Sequence, residues 1–173
     1  MRIRKLAQPD REPILRVLRS DDTFTEEEIA VATEVLDAAV AQPGRDYHIL
    51  VCEDETVVGY VCYGPTPMTL GAYDLYWIAT HREARGRGVA RRLVEAMEAE
   101  LGELGARVVR VETSQLDAYG AARAFYLRLG YGEAGRIRDF YRPGDDLVIF
   151  AKGLSLAAAD VAHRPVLAAS ALP

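Results

Sequence analysis

A glycine-rich turn between a β-strand and an α-helix is the feature that most constrains the fold of this chain. The turn, Arg85-Gly86-Arg87-Gly88-Val89-Ala90, follows the apolar run Leu75-Tyr76-Trp77-Ile78-Ala79 and precedes an amphipathic helix. Glycines at such a junction let the backbone turn tightly and leave N–H groups uncovered, and the helix presents the positive end of its dipole to the same place. Strand, turn and helix start together form a cradle for an anion such as a phosphate or pyrophosphate.

The charge of the chain is reversed around this turn. The 173 residues carry a net charge of −5, which argues against a general nucleic-acid-binding protein because such proteins are basic. Five arginines nevertheless crowd around the turn: Arg82, Arg85, Arg87, Arg91 and Arg92. This local excess of positive charge marks the turn as a candidate binding site.

Length and composition predict one globular domain with a substantial core, since half of the residues are apolar. No apolar run is long enough to cross a bilayer, and a polar segment with prolines follows the basic start, which is atypical of a signal peptide. We therefore expect a cytoplasmic location and no membrane partner. The three histidines, His48, His81 and His163, are isolated, so no metal site is expected.

The two cysteines are predicted to be reduced core residues. Cys52 and Cys62 lie in two apolar segments that form a predicted hairpin around Asp54-Glu55. A tight turn there places Cys52 opposite Val57 and puts Cys62 roughly 17 Å further along the ladder. A disulfide needs Cα atoms within about 7 Å of each other.

The order of predicted elements indicates an α/β fold. Apolar periodicity and the positions of Gly and Pro predict a strand at 2–6, helices at 9–19 and 25–41, strands at 47–53, 56–63 and 72–79, a helix at 88–104, a strand at 107–113, a helix at 118–129 and strands at 133–137 and 147–151. Thr25 and Glu28 fit a capping box, and Leu104 is expected on the buried stripe of its helix. The order predicts one sheet of mixed direction with helices packed on it.

Two motifs resemble those of the GNAT superfamily of acetyl-CoA-dependent N-acetyltransferases. The first is Ile78-Ala79-Thr80 followed by Arg85-x-x-Gly88-x-Ala90, and the second is the run 121–131, with an aromatic pair, a Tyr and a Gly-aromatic step. The resemblance covers residues 2–153 and implies a domain over 1–153, followed by an Ala-rich tail at 154–173. It implies a mixed, mostly antiparallel sheet of about six to seven strands, splayed between the fourth and fifth strands and flanked by about four helices.

The resemblance also implies acetyl-CoA as the acetyl donor and no metal. The pyrophosphate of the coenzyme is expected on the amides from Gly86 to Arg91, and its pantetheine arm beside the end of the fourth strand. The implied cofactor-binding residues are Ile78, Ala79, Thr80, Arg85, Gly86, Arg87, Gly88, Val89, Ala90 and Arg91. For the side chains of Arg85 and Arg87, exposure to solvent is an equal alternative to anion binding.

Acetyl transfer requires an amine that has lost a proton, a polarised thioester carbonyl and a proton for the leaving thiolate. Tyr126 occupies the family's position for the acid, and a phenol is protonated at neutral pH; the alternative is a buried aromatic that anchors its helix. Glu112 and Asp74 are the candidates for the base, directly or through water, and the alternative for each is an exposed carboxylate or a salt-bridge partner. The family often has an Asn seven residues before the acid, where this chain has Tyr119 and no Asn anywhere.

The expected acceptor is a primary amine of a small molecule, amino acid or peptide, and the resemblance implies that it enters opposite the coenzyme, between the early helices and the last hairpin. The candidate lining residues are Tyr63, Tyr73, Tyr76, Trp77, Phe140, Tyr141, Arg142, Asp145 and Asp146. For the aromatic residues, half-buried sheet surface is an equal alternative, and for Asp145 and Asp146 the alternative is the capping of a hairpin. Two alternatives stay open: a non-catalytic module that binds acyl-CoA, and a transferase with a protein acceptor. A nucleic-acid substrate is not expected, because the positive charge is confined to the turn. Members of this family often form dimers, so a homodimer is one expectation.

Overall fold

The computed structural model describes residues 1–154 and places them in a seven-stranded sheet with four α-helices on its faces. The strands are β1 (Arg2–Lys5), β2 (His48–Asp54), β3 (Thr56–Pro65), β4 (Ala72–Thr80), β5 (Val108–Ser114), β6 (Gly132–Arg142) and β7 (Asp145–Gly153). The helices are α1 (Arg11–Arg19), α2 (Glu26–Ala41), α3 (Val89–Glu103) and α4 (Gly120–Arg128), and short 3-10 turns lie at Gln8–Asp10, Arg82–Ala84 and Asp117–Tyr119. Residues 155–173, which make up nearly all of the predicted tail, lie outside the described part.

The sheet has the strand order β1-β2-β3-β4-β5-β7-β6, and β4 and β5 are its parallel pair. Helices α3 and α4 cover one face, where Met97 and Val111 are buried. Helices α1 and α2 cover the other face, where Leu18, Leu36 and Cys62 are buried. The predicted α/β class and the mixed, mostly antiparallel sheet are confirmed for residues 1–154.

The parallel pair β4–β5 is short. Residues 72–75 of β4 pair with residues 108–111 of β5, and the ladder ends there. Beyond this point β4 stays paired with β3 as far as Thr80, and β5 stays paired with β7 as far as Ser114. The two strands therefore diverge, and the predicted splay between the fourth and fifth strands is confirmed.

A bulge lies in β4 where this divergence begins. Tyr63 of β3 faces Leu75, while Cys62 faces Trp77, so Tyr76 is an extra residue without a partner on β3. A bulge increases the local twist and re-aims the strand that contains it. The bulge therefore helps to turn the second half of β4 away from β5.

Helix α3 begins directly against the sheet because β3 has no side chain at Gly59. A Cβ built on Gly59 would lie 2.7 Å from Cγ1 of Val89 and 3.0 Å from the carbonyl oxygen of Ala79. Gly59 is the partner of Thr80 in the β3–β4 ladder. The close approach holds the first turn of α3 beside the free end of β4.

The register of the β2–β3 hairpin differs from the predicted one. A bulge between Cys52 and Glu53 places Cys52 opposite Gly59 instead of Val57, and Cys62 lies opposite Ile49. Both thiols are free and buried, as predicted. Burial raises the pKa of the Cys62 thiol to about 12, so this thiol stays protonated and unreactive at neutral pH.

Two other predictions about elements are wrong in detail. Leu104 is 56% exposed rather than buried, because α3 ends at Glu103 and the chain turns away at Gly105, which has a φ of 73°.

Strands β6 and β7 are both longer than predicted. Nearly every residue of β6 is exposed, so its sequence lacks the alternation of buried and exposed residues that would have indicated its length.

Candidate active site

A cleft of about 1170 Å³ occupies the space where β4 and β5 diverge. We call the portion next to the glycine turn and the starts of α3 and α4 its α3 part, and the portion next to α2, β5 and the β6–β7 turn its α2 part. The expected coenzyme-binding residues that line the cleft are Ile78, Ala79, Thr80, Arg85, Gly86, Gly88, Val89, Ala90 and Arg91. The expected catalytic residues Tyr126, Glu112 and Asp74 also line it, whereas Arg87 does not.

The glycine turn leaves the start of α3 open. Gly86 and Gly88 have φ angles of 75° and 77°, and a Cβ built on either residue would meet no atom within 4 Å. Gly88 is the N-cap residue of α3, and no side chain caps this helix. The first N–H groups of α3 therefore lack side-chain partners at the positive end of the helix dipole, which is the geometry of an anion cradle.

The arginines around this turn are held by carboxylates of the same chain. The ion pairs are Arg82–Asp22, Arg85–Asp21, Arg87–Asp54 and Arg91–Glu95, with N···O distances of 2.6 to 2.8 Å. The local excess of positive charge seen in the sequence is thus largely balanced in the fold. The capacity of the turn for an anion rests mainly on its main-chain N–H groups.

Tyr126 lies on α4 with its ring in the core and borders the cleft. The residue is 5% exposed, and its ring centroid is 5.5 Å from that of Phe125, 5.8 Å from that of Tyr131 and 6.0 Å from that of Phe150. Burial raises the pKa of Tyr126 well above the usual value for a phenol, with no hydrogen bond contributing. The phenol is therefore protonated at neutral pH, and its ring is fixed by the aromatic cluster.

Asp74 and Glu112 are brought together through an arginine that the sequence interpretation did not single out. Arg110 Nε donates to Asp74 Oδ1 at 2.6 Å, and Arg110 Nη1 lies 3.3 Å from Glu112 Oε1. The second oxygen of Asp74 accepts a hydrogen bond from Thr66 Oγ1 at 2.8 Å. The Asp74 side chain is 10% exposed and that of Glu112 is 40% exposed, so the two candidate bases differ sharply in environment.

The alternation of buried and exposed residues along β5 indicates on which face of the strand Arg110 lies. Val109 and Val111 are buried against α3, while Arg110 and Glu112 are exposed on the other face of the strand. A period of two residues therefore places Arg110 beside Glu112. Its bond to Asp74 depends on the β4–β5 register, in which these two residues are direct partners.

Tyr119 occupies the position where the family often has Asn, and it makes a contact that the sequence did not predict. Its hydroxyl donates to Glu28 Oε1 at 2.7 Å, which joins the start of α4 to the start of α2. The other carboxylate oxygen of Glu28 accepts from the Thr25 backbone N–H and completes the predicted capping box. Glu28 thus has two tasks, one visible in local sequence and one that depends on a residue 91 positions away.

About half of the residues predicted to line the acceptor site border the α2 part of the cleft. Those that line it are Tyr76, Trp77, Tyr141, Arg142 and Asp145. Tyr63 is buried in the core, Phe140 is 53% exposed, and Tyr73 and Asp146 lie outside the lining. Asp145 is 4% exposed and accepts a hydrogen bond from Ser114 Oγ. Burial and the nearby carboxylates of Glu112, Asp145 and Glu28 raise the pKa of Tyr141.

Two classes of feature are not found in residues 1–154. No group of three or more His, Cys, Asp or Glu side chains is placed to hold a metal ion. No helix in this part of the chain has the length and apolar character to span a membrane.

Comparison with known proteins places this geometry in a family. The model of the Acetyltransferase (GNAT) family matches residues 11–131. The crystal structure of a GNAT-family protein from Desulfovibrio desulfuricans is 35% identical, has a TM-score of 0.85, and covers 89% of this chain and 99% of its own. No match is found among curated proteins.

More distant solved structures share the fold. The ribosomal-protein-S18-alanine N-acetyltransferase from Escherichia coli is 22% identical with a TM-score of 0.71, covering 92% of this chain and 97% of its own. An aminoglycoside 6′-N-acetyltransferase solved with coenzyme A is 16% identical with a TM-score of 0.71, covering 96% of this chain and all of its own. At these identities the likeness concerns the fold alone.

Proposed function

The chain belongs to the GNAT family of acetyltransferases, and we propose that it transfers an acetyl group from acetyl-CoA to a primary amine of a small molecule, amino acid or peptide. The transfer occurs by direct attack, with donor and acceptor bound at the same time. The observation that carries this proposal is the divergence of β4 from β5, which opens one cleft onto the start of α3, the phenol of Tyr126 and the carboxylate of Glu112.

The α3 part of the cleft holds the donor. The pyrophosphate lies on main-chain N–H groups between Gly86 and Arg91, where the uncapped helix start and two glycines leave room for it. The pantetheine arm runs along residues 78–80, on the edge of β4 that β5 has left. Thr80 Oγ1 borders this path and has no hydrogen-bond partner among the described residues. A distant relative with the same fold has been solved with coenzyme A, which supports a coenzyme as the donor.

In the proposed acetyl transfer, one C–N bond forms and the C–S bond of the thioester breaks. The amine nitrogen uses its lone pair to attack the carbonyl carbon of the thioester, and the carbonyl oxygen becomes an oxyanion. The C–S bond then breaks, which leaves the acetyl group on nitrogen as an amide. Before the attack, the acceptor ammonium gives one proton to Glu112, directly or through water, and Glu112 passes this proton to solvent. After the attack, the nitrogen loses its second proton by the same route and the leaving thiolate takes the phenol proton of Tyr126, which is replaced from solvent.

Glu112 suits the role of proton acceptor better than Asp74 does. Both oxygens of Asp74 are engaged, one by Arg110 and one by Thr66, and its side chain is mostly buried. Glu112 has one contact, at 3.3 Å, and a side chain that is 40% exposed to the cleft. The interpretation favoured by these contacts is that Glu112 exchanges the proton while Asp74 holds Arg110.

The α2 part of the cleft holds the acceptor. Carboxylates of Glu28, Glu112 and Asp145 and aromatic rings of Tyr76 and Tyr141 line it. This combination fits an amine that arrives as a cation and is flanked by apolar groups.

The proposal is tested by coenzyme A calorimetry and by thiol release from acetyl-CoA with a panel of amines, polyamines, amino acids and peptides. We expect heat on coenzyme A binding and amine-dependent release of free thiol. Binding without release by any amine would contradict transfer, and absence of binding would contradict the donor site as well.

The choice of base is tested with Glu112→Gln and Asp74→Asn. We expect Glu112→Gln to lower turnover by about a hundredfold or more, since general bases contribute on that scale. Asp74→Asn should mainly lower the melting temperature, because it removes one partner of a largely buried ion pair. A stable Asp74→Asn protein without turnover, beside an active Glu112→Gln protein, would reverse the assignment.

A further inference from the structure

Arg110 lies at the point where the β4–β5 ladder opens. It is the cross-strand partner of Asp74, and the ladder ends at the next pair, Leu75 with Val111. Its side chain is 44% exposed and lines the cleft together with Asp74 and Glu112. The guanidinium therefore stands between the two candidate bases at the bottom of the α2 part.

The side of the Arg110 guanidinium that faces Asp74 is held by a short ion pair. The Nε–Oδ1 distance to Asp74 is 2.6 Å, and Thr66 Oγ1 engages the other carboxylate oxygen. The Asp74 side chain is 10% exposed and that of Arg110 is 44% exposed, so the carboxylate end of this ion pair is shielded from solvent while the guanidinium reaches the cleft. Asp74 and Thr66 thus orient the plane of the Arg110 guanidinium.

The other side of the Arg110 guanidinium contacts Glu112, which is a more mobile side chain. Glu112 has a long side chain with several rotatable bonds, and its contact with Arg110 Nη1 at 3.3 Å is made through Oε1. Arg110 is therefore the group that limits the rotamers of Glu112 and places a cation beside its carboxylate.

We propose that Arg110 is a positioning residue that holds the Glu112 carboxylate directed at the acceptor amine. This inference rests on the proposed role of Glu112 as proton acceptor. Asp74 and Thr66 act on the reaction only through Arg110. The two carboxylates that compete for the role of base in the sequence thus have different tasks linked by one guanidinium.

Other charged and titratable groups face the same space. They are Asp74 on β4, Arg110 on β5, Tyr141 on β6, Asp145 on β7 and Glu28 on α2. Arg142 lines the cleft as well and lies 3.6 Å from Asp145. Among the described residues, Arg110 is the cation in direct contact with Glu112, so its removal should change the position of the Glu112 carboxylate more than the removal of any other arginine.

The test compares Arg110→Met and Arg110→Lys with a matched control, Arg136→Met. Arg136 also contacts two carboxylates from a strand, Glu133 and Asp146, but it does not line the cleft. Because Arg110→Met leaves the carboxylate of Asp74 without its cation, the double variant Arg110→Met/Asp74→Asn is measured alongside. Calorimetry with coenzyme A verifies that each variant retains the donor site.

With the most reactive amine of the panel, we expect Arg110→Met and the double variant to lower kcat about tenfold or more with KM for acetyl-CoA unchanged. Arg110→Lys should recover part of this loss, and Arg136→Met should show none. Wild-type kcat in Arg110→Met would overturn the proposal, even where Glu112→Gln is inactive.

A second readout does not require an acceptor. In protein labelled with ¹³C at the glutamate carboxyl carbon, the chemical shift of the Glu112 resonance at neutral pH should differ between Arg110→Met and wild type, because the contact with Nη1 is lost. It should be the same in Arg136→Met and wild type. An identical chemical shift in the three proteins would overturn the proposal. If no amine releases thiol, the proposed function fails by itself and this measurement still decides whether Arg110 holds Glu112.

Discussion

Single residues at the site owe their different chemistry to their surroundings. Asp74 and Glu112 are both carboxylates on strands next to the cleft, but Asp74 is engaged at both oxygens while Glu112 has one oxygen 3.3 Å from Arg110. Tyr126 and Tyr131 are both buried phenols in the same aromatic cluster, but only Tyr126 borders the cleft. Residue type limits what a position is able to do, and its neighbours select among these options.

The pair of tyrosines offers a test at this scale. Tyr126→Phe should lower turnover about tenfold or more, since it removes the proton for the leaving thiolate. The melting temperature should change little, because the hydroxyl is not held by a hydrogen bond. Thiol release and thermal unfolding measure the two effects.

Tyr131→Phe is the matched control. It removes a buried hydroxyl that has no partner among the described residues and does not line the cleft. It should leave turnover unchanged. Equal turnover in Tyr126→Phe and wild type would remove Tyr126 from the mechanism.

At the level of whole elements, the site depends on where α3 starts. The helix begins at the free end of β4 because Gly59 allows Val89 to pack on β3. The glycine turn is also joined to the segment between α1 and α2, since Arg82 pairs with Asp22 and Arg85 with Asp21. Elements on both sides of the sheet therefore meet at the same edge of the cleft.

Gly59→Ala should displace the start of α3. The added methyl group would meet a side chain and a backbone oxygen at 3.0 Å or less, and overpacking of this kind costs about 1–3 kcal/mol. We expect a lower free energy of unfolding in denaturant titrations and weaker binding of coenzyme A in calorimetry.

Gly102→Ala provides the comparison on the same helix. A Cβ at Gly102 meets no atom within 4 Å, and Ala is favoured over Gly in a helix by up to about 1 kcal/mol. This variant should be slightly more stable and bind coenzyme A normally. Normal binding by Gly59→Ala would show that the donor site does not depend on this packing.

Considered as a whole, the described part of the protein has a core with several buried tyrosines. Tyr60, Tyr63, Tyr126 and Tyr131 are each 5% exposed or less. Burial raises the pKa of all four phenols. Their neutral forms are therefore part of the folded state over a wider range of pH than in the unfolded chain.

Stability should fall in alkaline solution for this reason. Unfolded tyrosines lose their protons near pH 10, whereas the buried ones keep theirs, so the unfolded state binds fewer protons above that pH. Each such tyrosine lowers the free energy of unfolding by about 1.4 kcal/mol per pH unit in that range. Melting temperatures measured from neutral to strongly alkaline pH should decline beyond about pH 10, and less steeply in Tyr131→Phe. A constant melting temperature across that range would contradict the prediction.

Much of the fold was predictable because it depends on local patterns. The glycine turn, the capping box of Thr25 and Glu28, and the apolar stripe of α3 are signals within a few residues of each other. The two motifs and their order were sufficient to predict the family and the splayed sheet. The bulge that changes the β2–β3 register has no such signal, since it depends on how two strands settle against their neighbours.

The sequence alone was thus enough for the family, the class of fold and a set of candidate residues. The partners of those residues emerge only in the folded chain. Arg110 meets Asp74 across 36 positions and Tyr119 meets Glu28 across 91, and Arg82, Arg85 and Arg87 are paired with carboxylates from other segments. Hydrogen bonds and ion pairs act over a few ångströms in space regardless of separation along the chain, so roles that depend on them require the strand register and the packing of the helices.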